Sequence, residues 1–307
     1  MRVGYLGPAG TYSEEALRAS VGGAVAADPA GVEKVSYPTI RDAVMAVQDG
    51  TVDRALVPIE NSLEGAVAVT LDTLALEADR VRIATEVVHP IHHCLVAARR
   101  LELPDVTRVV SHPQAAAQCA RFLRKHLSHA ERVVAPSTAD AVLSIRDAAG
   151  LQVALGSRLA AELYGCVVLA ADVEDHPDNA TRFVWLAPAD AVDDPEPGAK
   201  TSVVFWGGGD ESPGWLVGAL REFSDRGVNL TRIESRPRRM RLGHYMFFAD
   251  LEGDAGRPPV SEALAALRGR VEEIRVLGSY TAVGGGAGYT DRDRGSANGR
   301  DLRSRGG

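Results

Sequence analysis

The sequence predicts an α/β protein in two parts, a two-lobed region followed by a small βαββαβ domain. Three observations point there. Short apolar runs of strand type alternate with amphipathic helical stretches up to about residue 188. Polar clusters recur just after those strands and just before helix starts, which is where open α/β sheets bind ligands. An acidic Pro/Gly stretch at 190–200 (DAVDDPEPGAK) then sets off a second series of strands and helices.

Taken in order, residues 2–6 (RVGYL) read as a buried strand, and GPAG at 7–10 leads into a helix start carrying Thr11, Ser13, Glu14 and Glu15. Free amides at such a start hold anions, although plain capping accounts equally well for Thr11 and Ser13. Residues 40–47 are helical, 54–59 form the next strand, and ENSLEG follows at 60–65. There Asn61 and Ser62 either offer donors to an oxyanion or cap the helix at 67–76. A strand over 82–88 runs into HPIHHCLV at 89–96, whose histidines raise the question of a metal. On a strand His92 and His93 point to opposite faces, so a shared ion is not expected.

Residues 106–110 form a strand ending in Ser111-His112-Pro113-Gln114, ahead of a helix over 115–127 with Cys119 and Leu123 on its apolar face. Ser137 and Thr138 open another capped helix, and a strand over 152–155 precedes a helix over 158–163. The chain crosses between lobes near 89–95 and returns near 165–173. Lobe one is therefore about 1–88 and 169–188, lobe two about 89–168, and the cleft between them is the default site. Just past the return lies HPDNATRFVW at 176–185, where turn formers put Thr181 and Arg182 at a loop-to-strand junction. A hydroxyl beside a fork-shaped cation suits a small anion that also needs a hydrogen bond to one of its oxygens. An ST-turn with a surface arginine is the plainer alternative.

Residues 189–200 read as a linker. Beyond it, strands at 201–206, 229–237, 245–251 and 274–277 and helices at 215–226 and 261–270 give a ferredoxin-like order within 201–283. Residues 284–307, rich in Gly, Arg and Asp, are expected to be disordered.

The bulk properties narrow the function. Among 307 residues the charge is 34 − 41 = −7, which argues against a general nucleic-acid or anionic-membrane binder. No apolar run reaches the roughly 18 residues of a membrane helix, and the N-terminus reads as a strand and a Gly-Pro loop. Cys94, Cys119 and Cys166 lack CxxC spacing and suit free thiols in a reducing cytoplasm. Without a GxGxxG, a P-loop or a ligand-spaced cluster, the chemistry is expected to need neither metal nor cofactor. The Asn179-Ala180-Thr181 glycosylation pattern matters only in a secreted chain.

Over about 1–282 the chain resembles bacterial prephenate dehydratases with a C-terminal ACT domain. The motifs that carry this are GYLGPAGTYSEEA, VPIENSLEG, HHCLV, SHPQAAAQC, NATRFVWL and, in the small domain, PGWLVGALREFSDRGVNLTRIESRPRR. The resemblance implies a catalytic region like a type II periplasmic binding protein and conversion of prephenate to phenylpyruvate, water and carbon dioxide. It also implies a cytoplasmic homodimer or homotetramer inhibited by L-phenylalanine bound at ACT interfaces. Leu216, Gly218, Ala219, Asn229, Leu230, Glu234 and Ser235 are the candidate effector contacts. Trp215 departs from the small residue the family has after Pro-Gly.

In this reading Thr181 is the family's essential threonine, donating a hydrogen bond to the departing hydroxyl. Arg182 is expected to hold the pyruvyl carboxylate, and Phe183 to wall the leaving carboxylate. Thr11, Ser13, Asn61, Ser62, Ser137 and Thr138 are expected to supply neutral donors, with His112 and Gln114 on the opposite wall. Deleting the chain after Lys200 is expected to remove inhibition while activity stays. Two rivals stand beside this: the same chemistry on arogenate, marked by a free acid such as Glu64, and a non-catalytic amino-acid binder.

Overall fold

Two β-sheets joined by two short crossings carry the N-terminal region of this computed structural model, which describes residues 1–21, 31–148, 150–191, 199–208 and 212–281. The expected tail, 284–307, lies outside the described residues. The chain opens with β1 (Arg2–Leu6), α1 (Tyr12–Ser20), β2 (Glu33–Tyr37), α2 (Ile40–Gln48), β3 (Arg54–Asn61), β4 (Gly65–Ala66), α3 (Ala68–Leu76) and β5 (Val81–Pro90). It crosses into β6 (Cys94–Ala97), β7 (Arg108–Ser111), α4 (Pro113–Gln118), α5 (Ala120–His126), β8 (Glu131–Val134), α6 (Thr138–Arg146), β9 (Gln152–Gly156), α7 (Arg158–Leu163) and β10 (Val167–Ala170). It then returns to the first sheet as β11 (Ala180–Pro188).

The first sheet runs β2-β1-β3-β11-β5, with β11 antiparallel to both neighbours, and the second runs β10-β6-β9-β7-β8. β10 pairs with β6 throughout, so the return crossing falls at 171–179, later than the strand pattern suggests. The expected helix over 115–127 is broken at Cys119. Asp175, from the return crossing, accepts from Arg121 N at 3.1 Å and donates its own amide to Gln118 O. A side chain inserted into the helical ladder splits the helix.

The small domain follows the expected βαββαβ order: β12 (Ala199–Trp206), α8 (Trp215–Ser224), β13 (Leu230–Pro237), β14 (Tyr245–Glu252), α9 (Val260–Arg268) and β15 (Glu273–Thr281). Its sheet runs β13-β14-β12-β15. Both faces are covered. Helices α8 and α9 pack on one through Phe205, Phe223, Leu264 and Leu267. The other face joins the core of the first sheet, where Val204, Trp206, Met246, Phe248 and Leu277 meet Ile59, Leu71, Leu74, Ile83 and Val184. Polar contacts fasten the same seam: Arg236 and Arg239 hold Asp72 of α3 at 3.0 and 2.6 Å, and Arg275 donates to the carbonyl of Ala75. Among the described residues no helix is long and apolar enough to cross a membrane.

Candidate active site

A cleft of about 300 Å³ lies between the two lobes. Thr11, Ser13, Asn61, Thr181 and Phe183 line it from lobe one, and His112, Gln114, Ser137 and Thr138 from lobe two. Three helices begin on this cleft. At α1 the Thr11 hydroxyl donates to Leu6 O at 2.9 Å instead of capping; Glu14 N donates to Thr11 O at 3.0 Å, which leaves the amides of Tyr12 and Ser13 without an intrahelical partner. At α6 the Ser137 hydroxyl caps Asp140 N, and at α4 His112 Nδ1 caps Gln114 N. In a neutral His112 ring the proton therefore sits on Nε2.

Thr181 is the second residue of β11, directly opposite Asn61 of β3. Asn61 Oδ1 accepts from the amides of Leu63 and Glu64, both at 3.0 Å, which fixes which way the side-chain amide faces. Its Nδ2 therefore donates, reaching Thr181 Oγ1 at 2.9 Å and Asn179 Oδ1 at 2.9 Å. With its oxygen accepting, the Thr181 hydroxyl hydrogen is left to donate into the cleft.

Two expected site residues lie elsewhere. Arg182 follows Thr181 on a strand, so its side chain leaves by the opposite face. There it meets Glu60 at 2.9 Å, Glu86 at 3.1 Å and Asp250 of the small domain at 2.8 Å. Burial pulls its pKa down, but Asp250, Tyr280, Glu86 and Glu60 more than offset this, and the guanidinium stays charged. It does not reach the cleft, so it is not the expected carboxylate grip. Ser62 is exposed and clamps the start of β11, its hydroxyl accepting from Ala180 N at 3.0 Å.

Several residues the sequence reading passed over complete the site. Gln118 Nε2 donates to Glu64 at 3.2 Å, leaving Oε1 to accept from Asn179 Nδ2 at 3.1 Å and from His93 Nε2 at 2.9 Å. His93 Nδ1 then accepts from the Tyr12 hydroxyl at 2.7 Å. The chain Thr181–Asn61–Asn179–Gln118–His93–Tyr12 ties both lobes and the outward crossing together. The lobes also meet at Gly10, whose φ of +84° leaves room for a backbone approach, since a Cβ there lies 3.0 Å from Ala160 Cα. Ser157 Oγ donates to Gly10 O at 2.8 Å.

Burial, only partly offset by the bond to Gln118 and the charge of Glu174, holds the His93 imidazole below its usual 6.5. A folded value below the unfolded one means the folded state holds the neutral ring. The related stability is present above pH 6.5 and is lost as pH falls from there towards the folded pKa. Urea unfolding of the wild type at pH 7.5 and 5.5 is expected to show a larger drop than in His93→Gln. An equal drop in both sinks the assignment.

His92 Nδ1 lies 2.8 Å from Glu174 and 3.8 Å from Asp172, a polar group that links the outward and return crossings. Among the described residues this is the group with the geometry to hold a metal; it stands outside the cleft lining.

In the small domain the seven candidate effector residues do not share one pocket. A hollow of about 220 Å³ at the start of α8 takes Leu216 together with Trp215, Tyr245 and Phe247. Trp215 packs on Phe205 and Phe247 and donates to Arg270 O at 3.1 Å. Ser235 pairs with Phe247 beside that hollow, whereas Asn229 and Leu230 lie at the far end of β13. Glu234 and Ser235 point to opposite faces. Gly218 lies in α8, and Ala219 is wholly buried in the core under it.

Comparison with known proteins follows the same division. A family model described as prephenate dehydratase matches residues 3–191, and one for the ACT domain matches 202–269. The prephenate dehydratase of Amycolatopsis methanolica is 38% identical, covering 92% of this chain and 90% of that protein. That of Mycolicibacterium vanbaalenii is 41% identical, covering 91% and 90%. Among solved structures, a prephenate dehydratase from Arthrobacter aurescens in complex with L-Phe is 38% identical with a TM-score of 0.83, covering 92% of this chain and 90% of that one. A protein described as a novel type of quorum quenching acylase is 31% identical with a TM-score of 0.78, covering 92% and 98%.

Proposed function

Because the chain belongs to the prephenate dehydratase family and carries a C-terminal ACT domain, we propose that the interlobe cleft binds prephenate and that Thr181 assists the departure of its hydroxyl. The activity is the family's, a lyase reaction that dehydrates and decarboxylates prephenate to phenylpyruvate. One observation carries the site assignment: Asn61 Nδ2 donates to Thr181 Oγ1 at 2.9 Å in the cleft lining, which leaves the threonine's own hydrogen free to donate to the substrate.

Loss of carbon dioxide leaves an electron pair that restores the aromatic ring as the C–O bond breaks. The enzyme has to orient the substrate and stabilise charge on the leaving oxygen. Thr181 donates there, a positioned donor rather than a strong acid. Among the described residues the cleft lining holds no Lys, Arg, Asp or Glu. The substrate carboxylates are therefore met by hydroxyls, amides and the helix starts at α1 and α6, which favour anions. Phe183 supplies the apolar wall beside the carboxylate that leaves neutral.

The same lining favours prephenate over arogenate, because an ammonium finds no carboxylate there and Glu64 is held by Gln118. It gives no support to acylase chemistry either: the Thr181 oxygen accepts from an amide rather than facing a base that would activate it.

We assign the ACT domain to phenylalanine inhibition in a homodimer or homotetramer. Among the described residues β13 is an edge strand of the ACT sheet. Antiparallel pairing of two such edges brings the Asn229–Leu230 end of one copy to the Leu216–Ser235 end of the other, completing the divided effector set. The three described cysteines are free thiols, which suits a reducing cytoplasm.

The test is phenylpyruvate formation from prephenate, with arogenate in parallel and with or without phenylalanine. Turnover of prephenate suppressed by phenylalanine supports both assignments. Turnover of arogenate alone overturns the substrate preference, and turnover insensitive to phenylalanine overturns the effector.

A further inference from the structure

Arg182 stands at the centre of a buried ionic cluster shared by the two domains. Glu60 and Glu86 come from β3 and β5, the neighbours of β11, while Asp250 comes from β14 of the ACT domain. Lys200 of β12 holds Glu86 at 2.7 Å, and Arg232 of β13 lies 3.6 Å from Glu60. Asp250 is itself fixed: its other oxygen accepts from Ser202 Oγ at 2.6 Å, which lies 2.8 Å from the Tyr280 hydroxyl.

The backbone at this point sets the aim of Thr181. Thr181 faces Asn61 and Arg182 faces Glu60, and the register then slips by one before Phe183 pairs with Pro58. Such a bulge redirects side chains. The two consecutive pairs hold it from opposite faces, Thr181–Asn61 on the cleft side and Arg182–Glu60 on the ACT side. We propose that Asp250 of the ACT domain is a positioning residue for the reaction: by holding Arg182 it fixes the start of β11 against the bulge that Ile59 makes in β3, and with it the direction of the Thr181 hydroxyl. This rests on the reading of Thr181 given above.

Asp250→Asn in the full-length chain keeps the shape and the partner for Ser202 while removing the charge that faces Arg182. The expected result is a fall in kcat of about tenfold or more, the scale of a misplaced catalytic group, with KM for prephenate within about twofold. Backbone amides of 180–184 are expected to exchange hydrogen faster. In a Thr181→Ala background the same replacement is expected to change kcat by less than about twofold, since the two act through one group. Asp72→Asn, which breaks the ion pairs to Arg236 and Arg239 on the same seam, is expected to leave kcat unchanged.

Wild-type kcat in Asp250→Asn overturns the proposal. So does an equal loss in the Thr181→Ala background or in Asp72→Asn. If the wild type turns over no prephenate, the functional reading fails by itself. Exchange at 180–184 then decides, and unchanged exchange in Asp250→Asn overturns the positioning role.

Discussion

Thr181→Ala is expected to lower kcat for phenylpyruvate formation about a hundredfold, and by no less than about tenfold, with KM changed by less than about threefold. The split follows from where the hydrogen bond matters. In the bound substrate the hydroxyl is neutral and a donor to it is worth little. As the C–O bond breaks the oxygen gains negative charge, so the same donor is worth more in the transition state. Asn61 Nδ2, 2.9 Å from Thr181 Oγ1, is what keeps that donor aimed. Thr181→Ser is therefore expected to stay within about tenfold of wild type, and Asn61→Ala to fall between Ser and Ala at position 181. Steady-state kinetics on prephenate check all three. Wild-type kcat in Thr181→Ala would refute the role.

Most strands of the two lobes and the small domain's element order were legible because apolar runs and turn residues are local signals, whereas the mostly polar β2 and the short β8 were missed. The recurrence of polar clusters at strand ends, which the fold gathers around the cleft, was legible too. Arg182 was misread although the signal was present. Successive side chains on a strand face opposite ways, so a cation next to a cleft residue faces away from the cleft; the same rule was misapplied to His92 and His93, which lie in the irregular crossing between β5 and β6. Gln118, His93 and Asn179 were not legible. They meet through the helix break at Cys119, which depends on Asp175 from a distant segment. The docking of the ACT sheet lay between these cases. An acidic Pro/Gly linker suggested independence, yet VVFW in β12 and MFF in β14 are apolar on both strand faces, the mark of a sheet buried on both sides.

That docking makes Gly278→Val the replacement with the largest expected effect on stability. Gly278 lies in β15 against β5, and a Cβ built there sits 2.3 Å from Ile83 O and 2.8 Å from Ile83 Cβ. Backbone on both sides leaves no flexible side chain to yield, so the two strands must part. Parting opens the core in which Leu277, Phe248 and Val204 meet Ile83, Leu74 and Val184. A loss of about 3 kcal/mol in urea unfolding is expected, at the upper end of overpacking. The same seam revises what domain deletion does. Ending the chain after Lys200 bares the apolar face that the ACT sheet covers, so the remainder is expected to aggregate rather than remain active and merely lose inhibition. Gly278→Val reports on this without removing a residue: if the seam is structural, unfolding and kcat decline together, because Asp250 moves with the sheet. A variant as stable as wild type would mean that β15 and β5 separate at little cost and that the two domains fold as independent units.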